Sequence, residues 1–333
     1  MTSPLELVCP AGTPAALRAA IEAGADAVYL GFRDETNARN FPGLNFSVSE
    51  LADALAFAHK AGRKVLLAVN TYADATDPGP WHRAIRNASE LGVDAIILAD
   101  IGLLAHARDH YPELRLHLSV QASASNAAAI NYYAETFGVR RVVLPRVLTV
   151  PEIAKLNEQI SVETEVFAFG GMCPMAEGRC TLSSYATGQS PNRNGVCSPP
   201  DHVDYVREQR GMTSRLGGFT INRFDDDEQA GYPTLCKGRF QVADARGYIF
   251  EEPTSLDIRP ILPSLAKAGV RALKIEGRQR SKAYVREVVA GFRAAIDTMG
   301  VEGAATTGEA GNNLAAISEG NITTTGAYRK KWL

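Results

Sequence analysis

The sequence predicts an α/β protein, a (β/α)8 TIM-like barrel with a cysteine-rich insertion between strands seven and eight. Three observations predict it. Short runs of Val, Ile and Leu alternate with Ala-rich stretches of helical period. A glycine repeatedly stands just before a buried strand, and four of the five cysteines crowd into the one long interval that breaks the rhythm. A doubly wound open sheet uses the same βα units and stays open at this point.

Strands are expected at LELVC (from Leu5), DAVYLG (Asp26), KVLLAVN (Lys64), DAIILAD (Asp94), LRLHLSV (Leu114), RVVLP (Arg141), EVFAFG (Glu165) and RALKIEG (Arg271). Between them lie periodic segments such as PAALRAAIEAG, SVSELADALAFAHKAG and PWHRAIRNASELG. Helix starts carry their signals: Thr13 precedes Pro14, and Ser47 has Glu50 three residues on as a capping box. Asp100 and Ser123 also read as caps of the helices that follow them. AGADAVYLG, LGVDAIILAD, FGVRRVVLPR and AGVRALKIEG form a weak internal repeat. In each, a helix-ending Gly takes the left-handed conformation that other residues resist, and a strand follows.

About a hundred residues separate strands seven and eight, far more than an ordinary loop. The division expected is 1–172 for the first part of the barrel, 173–250 for the insertion, 251–298 for the last part of the barrel and 299–333 for a wrapping tail with little secondary structure. The insertion carries an acidic run, Asp225–Glu228, and a hairpin, GRFQVADARGYIFEE; a helix from about Leu256 to Ala268 then leads back to the barrel.

The 333 residues hold 35 Lys and Arg against 37 Asp and Glu, a net charge of −2. That balance gives no electrostatic reason to expect nucleic acid or an anionic membrane as partner. No apolar run reaches the ~18 residues of a membrane span. MTSPLELVCPAG has no basic region followed by an apolar one, so a cytoplasmic location is expected. In a reducing compartment five cysteines point to metal binding or reactivity rather than disulfides.

Cys173, Cys180, Cys197 and Cys236 are separated by six, sixteen and thirty-eight residues, with no close CxxC knuckle. Such spacing suits a site assembled by a whole subdomain, holding either a [4Fe–4S] cluster or structural zinc. Four unrelated buried thiols are the bland alternative. Cys9, at the tip of strand one, reads as a small buried hydrophobe. Other strand tips are polar: Asn70 after strand three, Ser119 and Gln121 after five, Arg146 after six, Lys274 and Glu276 at eight. In a barrel they converge at the C-terminal face, where active sites sit. Strand five alternates Leu114, Leu116 and Leu118 with Arg115, His117 and Ser119, and the polar phase suggests a lined pocket. The loop after strand two carries Arg33, Asn37, Arg39, Asn40 and Phe41, and an arginine there reads equally as a bidentate carboxylate clamp or as a solvated surface residue. The basic run GRQRSKAY (Arg278, Arg280, Lys282) has the charge to hold an anionic ligand at a helix N-terminus, but alone such a run is more often a solvated face, and the pair His106 and His110 reads as surface. No dinucleotide fingerprint, P-loop, H-E-x-x-H or G-x-S-x-G is present.

The pattern E-x-F-x-F-G-G-M-C-x6-C-x-L-S at Glu165–Ser183 resembles the signature of the U32 collagenase-like peptidase family. CPAG, ADAVYLG, TNARNF, LPRVL, AGYPTLCKGRF, EEPTSL, KIEGRQRS and TTGAYRKKW extend the resemblance over nearly the whole chain, closest to the branch acting in oxygen-independent ubiquinone biosynthesis. The resemblance implies a [4Fe–4S] cluster on Cys173, Cys180, Cys197 and Cys236. It implies hydroxylation of the aromatic ring of a prenylated quinone precursor without O2, with a prephenate-like oxygen donor. It also implies a heterodimer with a homologous UbiV-like subunit and a UbiT-like lipid-binding protein. The peptidase label fits poorly, since no nucleophile–base constellation is visible, and the family supplies no agreed catalytic side chains. Similar proteins hydroxylate tRNA or ribosomal RNA; the net charge, and the additional C-terminal sequence of those relatives, set this chain apart from them. A non-catalytic Fe–S or zinc scaffold is the third alternative. If a prephenate-like diacid binds at the barrel mouth, Arg39, Arg146 and Lys274 are the expected cationic partners.

Overall fold

The computed structural model describes residues 5–173, 175, 180–191, 196–299 and 314–329. Eight parallel strands close on themselves: β1 (Glu6–Pro10), β2 (Ala27–Leu30), β3 (Lys64–Val69), β4 (Ala95–Leu98), β5 (Leu116–Leu118), β6 (Arg141–Val143), β7 (Glu163–Gly171) and the strand at Ala272–Ile275. That last strand pairs with both β7 and β1, through Leu273 opposite Val166 and Leu7, so the open sheet is excluded. The fold is a (β/α)8 barrel.

Alternation along each strand sorts residues between two layers. Val8, Ala27, Tyr29, Leu66, Ala95, Ile97 and Ala272 fill the barrel interior. Leu7, Val28, Leu67, Ile96 and Leu273 point outward into the layer beneath the helices. Cys9 shares that outward phase, fully buried, so it faces the helices rather than the barrel mouth. The helices present matching apolar stripes. In α2 (Val48–Lys60), Leu51, Ala54, Leu55 and Ala58 are buried, at helical spacing. Each leucine so buried contributes about 1.5–3 kcal/mol.

The start and stop signals act as the chemistry requires. Thr13 accepts from the Ala16 amide to cap α1 (Pro14–Glu22), and Ser47 with Glu50 closes a full capping box on α2. α3 (Gly79–Leu91) ends on left-handed Gly92, and the other junction glycines of the repeat also have positive φ. Asp100 caps α4 (Ile101–His110) through the Gly102 and Leu103 amides. Ser123 does not cap α5 (Ala127–Phe137): it sits left-handed after a single 3-10 turn, and Asn126 provides the cap. α6 (Val150–Asn157) begins on a second capping box, Thr149 with Glu152.

After β7 the chain forms α7 (Leu182–Thr187), a three-stranded antiparallel sheet of β8 (Val203–Arg207), β9 (Met212–Leu216) and β10 (Phe219–Phe224), and the expected hairpin of β11 (Arg239–Val242) with β12 (Ala245–Tyr248). The helix expected from Leu256 starts later. Ser255–Asp257 is instead a strand, β13, antiparallel to the end of β7, and α8 covers Leu262–Lys267. β14 (Ala272–Ile275) then completes the barrel and leads into α9 (Lys282–Asp297). The described part of the tail wraps back: Leu314 packs in the core, β15 (Thr323–Thr324) pairs with β13, and the Tyr328 hydroxyl donates to the Phe167 carbonyl at 2.9 Å. Residues 300–313 and the end of the TTGAYRKKW motif lie outside the described residues. Among the described residues no helix is long and apolar enough to cross a membrane.

Candidate active site

The inward-facing residues nearest the C-terminal ends of the strands (Tyr29, Ala68, Ile97, Val143, Phe167 and Lys274) form the floor of a cavity of about 260 Å³. Asn70, Gln121, Arg146, Glu276 and Arg39 stand around its rim, and Cys173, Cys180, Cys197 and Cys236 border it from the insertion. The six strand-tip and loop candidates and the four clustered cysteines therefore border one cavity. Strands and insertion build it together.

Below the floor lies a buried charge network. Glu165 is 0% exposed; its Oε1 accepts from Lys274 Nζ at 2.7 Å and its Oε2 lies 3.3 Å from Arg141 Nη1. Arg141 also pairs with Glu6 and Glu163. Burial works to raise the Glu165 pKa, but the charges of Lys274 and Arg141 outweigh it and hold the carboxyl below the usual range. Burial pulls Lys274 down, and Glu165 opposes that shift. With two cations facing one carboxylate, the ionised pair is the state of the site. Lys274 Nζ also lies 3.9 Å from the Tyr29 ring centroid. His117, in the polar phase of β5, lies inside the barrel beneath the cavity, where burial and Arg141 hold it well below its ordinary pKa and hence neutral. Of that polar phase, only Ser119 reaches the cavity wall.

The rim is tightly constrained. Asn70 Oδ1 accepts from the Ala38 amide at 3.0 Å, which ties the loop after β2 to β3. Arg39 Nε lies 3.8 Å from Glu276 Oε1. A Cβ on Gly170, whose φ is +126°, would meet Glu276 Cβ at 2.7 Å, so only glycine lets Glu276 stand there. Arg146 places its guanidinium 3.5 Å from the Phe167 ring centroid. Gln121 Oε1 is buried with no hydrogen-bond partner.

On the insertion side, burial and the neighbouring thiols Cys173, Cys197 and Cys180 push Cys236 up to about 12, which marks the four sulfurs as one electrostatic neighbourhood. Ser198, next to Cys197, is 3% exposed, and its Oγ has no hydrogen-bond partner among the described residues. Four soft donors beside a buried, unsatisfied hydroxyl fit a thiolate-ligated group. Among the described residues, no three His, Cys, Asp or Glu side chains close on a single point as ligands of one ion do. Glu319 of the tail accepts from Lys237 and, at 3.1 Å, from Arg280, fastening the turn that bears Cys236 to the barrel.

Sequence reasoning missed several contributors. Arg278 is not a solvated residue: it is 4% exposed, lines the cavity, and burial lowers its pKa to about 10. Arg280 is ion-paired, and Lys282 alone of that run lies in the exposed first turn of α9. Arg33, from the loop after β2, is a surface partner of Glu50 at 2.6 Å and does not reach the cavity. His106 is a surface residue, as expected, but it stacks on His82 with ring centroids 3.8 Å apart.

The sequence profile described as "Peptidase family U32" matches residues 12–331. The chain belongs to the U32 family. It is 34% identical over 316 residues to the tRNA hydroxylation protein P of Escherichia coli, covering 88% of this chain and 68% of that one. It is 29% identical over 299 residues to the 23S rRNA 5-hydroxycytidine C2501 synthase of E. coli, covering 89% of this chain and 40% of that one. A solved U32 structure, the peptidase Mk0906, aligns with a TM-score of 0.43 at 17% identity over 52% of this chain and 72% of that one. The chain thus spans about two thirds of the length of its tRNA hydroxylation relative and less than half of the ribosomal one.

Proposed function

We propose that this U32 protein is the UbiU-like subunit of an oxygen-independent hydroxylase that acts on the aromatic ring of a prenylated quinone precursor. Its four cavity cysteines would hold a [4Fe–4S] cluster. The observation that carries the reading is the shared cavity: four thiols on one side, strand-tip polar groups on the other, and room between them for a small ring. Two U32 relatives are named for hydroxylation, which supports the reaction class.

When bound, a cluster ligated by these four thiolates would supply electron transfer. The chain's own residues do the rest. Tyr29, Phe41 and Phe167 offer apolar faces to an aromatic ring, while Arg39 and Arg146 offer positive charge to a prephenate-like donor. Lys274, held charged by Glu165, can place a proton-bearing ammonium beneath an oxygen at the floor. The cavity lining contains no histidine among the described residues, so no Ser–His or Cys–His pair stands there. A UbiV-like homologous subunit and a UbiT-like lipid carrier complete the proposal, since an isoprenoid tail needs apolar cover that a 260 Å³ cavity does not supply.

RNA base hydroxylation is the second reading, favoured by the names of the relatives. The net charge of −2 lacks the basic footprint of RNA binding. Deleting the gene separates the two. Loss of ubiquinone in cells grown without O2, with aerobic ubiquinone intact, supports the first reading. Loss of a hydroxylated RNA base with normal anaerobic quinone establishes the second.

A further inference from the structure

A buried guanidinium ordinarily meets a carboxylate. Arg141 meets three, and Arg259 meets Asp257. Arg278 meets none. Among the described residues its one hydrogen-bond partner is neutral: Nη1 donates to Asn37 Oδ1 at 3.1 Å. Among the described residues its Nε and Nη2 have no acceptor, although the side chain lines the cavity. A charge left in that state costs free energy that the rest of the fold must recover.

The surroundings are built to keep it so. Asn37 is fully buried, and its Nδ2 donates to the Phe32 carbonyl, which turns Oδ1 toward Arg278. The same Oδ1 accepts from the Arg39 amide at 2.9 Å. A Cβ on Gly31 would lie 2.7 Å from Arg278 Nη1 and 2.6 Å from Asn37 Cγ, so glycine is what lets both groups fit. A Cβ on Gly12 would collide with the Arg278 carbonyl at 1.8 Å. Strand ends, loop and glycines therefore fix a cation at the cavity wall; among the described residues no carboxylate reaches ion-pair distance, and Glu276 acts on it only from farther off. The other cations at the cavity are engaged: Lys274 with Glu165, Lys237 with Glu319, Arg39 near Glu276, and Arg146 over Phe167.

We propose that Arg278 is the anchor for a carboxylate group of the small molecule that occupies this cavity, the carboxylate lying across its Nε and Nη2 edge. The unoccupied side of a guanidinium held at Nη1 matches the two oxygens of a planar carboxylate, and Tyr29, Phe41 and Phe167 suit an apolar body behind it. This assignment rests on reading the cavity as the reaction site, and it replaces Arg39, Arg146 and Lys274 as the principal carboxylate partner.

Benzoate, its neutral isostere benzamide, and inorganic phosphate are the probes, titrated calorimetrically into the full chain purified under argon. Benzoate is expected to bind, with benzamide and phosphate at least fivefold weaker. Arg278→Gln should weaken benzoate at least fivefold. Asn37→Asp, which sets a resident carboxylate against Arg278, should do the same with the arginine still present, and it carries the test if Arg278→Gln does not fold. No benzoate binding to the wild type, less than a fivefold loss in these variants, or phosphate or benzamide within fivefold of benzoate would overturn the assignment. Benzoate binding without any hydroxylase activity would retire the hydroxylase reading and leave the Arg278 assignment standing.

Discussion

Lys274 Nζ stands 2.7 Å from Glu165 Oε1 across the β14–β7 ladder, with the ammonium 7% exposed and the carboxylate not at all. The pair joins the floor of the cavity to Arg141 and so to the far end of the barrel. Replacing Glu165 with Gln strands the buried Lys274 ammonium and removes one of the three carboxylates around Arg141. The expected cost is about 3–5 kcal/mol of folding stability, read from urea unfolding at pH 7. Glu165→Met with Lys274→Met should recover most of it, because no buried charge of the pair then remains. A single substitution costing under about 1 kcal/mol would contradict the network.

The same carboxyl predicts a pH dependence. Its folded pKa lies below the usual range, so it contributes stability above its unfolded value of about 4.3 and loses it as pH falls through the folded value. The stability gap between wild type and Glu165→Gln should therefore be full at pH 6–7 and shrink below about pH 4. A gap that widens on acidification would reverse the sign assigned here.

The cysteine site predicts a cofactor. Protein purified under argon should be brown and hold iron with acid-labile sulfide; Cys180→Ala or Cys236→Ala should bleach it and loosen the insertion, because ligation and folding are coupled. A colourless wild-type protein with one zinc per chain would count against the cluster.

The tail has its own test. Tyr328→Phe removes the donor to the buried Phe167 carbonyl and should cost about 1–3 kcal/mol. Limited proteolysis should then release the C-terminal segment sooner, while the circular dichroism of the barrel stays unchanged. Equal cleavage rates would mean that the hydrogen bond does not hold the wrap.

Ser47→Ala opens the capping box at the start of α2 and should lower stability by about 1 kcal/mol with no change in iron content. Chemical denaturation and metal analysis of the same sample check both halves.

The barrel was legible because two local signals repeat along the chain: strand-length apolar runs, and the glycine before several of the strands, as at Gly92 and Gly138. The four cysteines were legible because they cluster in one interval. Residues whose character depends on distant partners were not. Glu165 and Lys274 are 109 residues apart and become a pair only when β14 closes the barrel. Arg278 lies in a basic run, and only the turn after β14 and the glycines facing it bury it. The apolar spacing of SLDIRPILPSLAKAG suits either a helix or a strand; pairing with β7 claims Ser255–Asp257, and Pro260 delays the helix.

The position of the insertion also sets an order of events during synthesis. Ala272, the first residue of the closing strand, follows Cys236 by 36 residues. At roughly 5–20 residues per second the ribosome delivers all four thiols about two to seven seconds before that strand exists. During that interval the edges of β1 and β7 that the closing strand will join are unpaired. If the cysteines hold the proposed cluster, its loading can precede closure, and a chain released before Ala272 would still carry every thiol of the site.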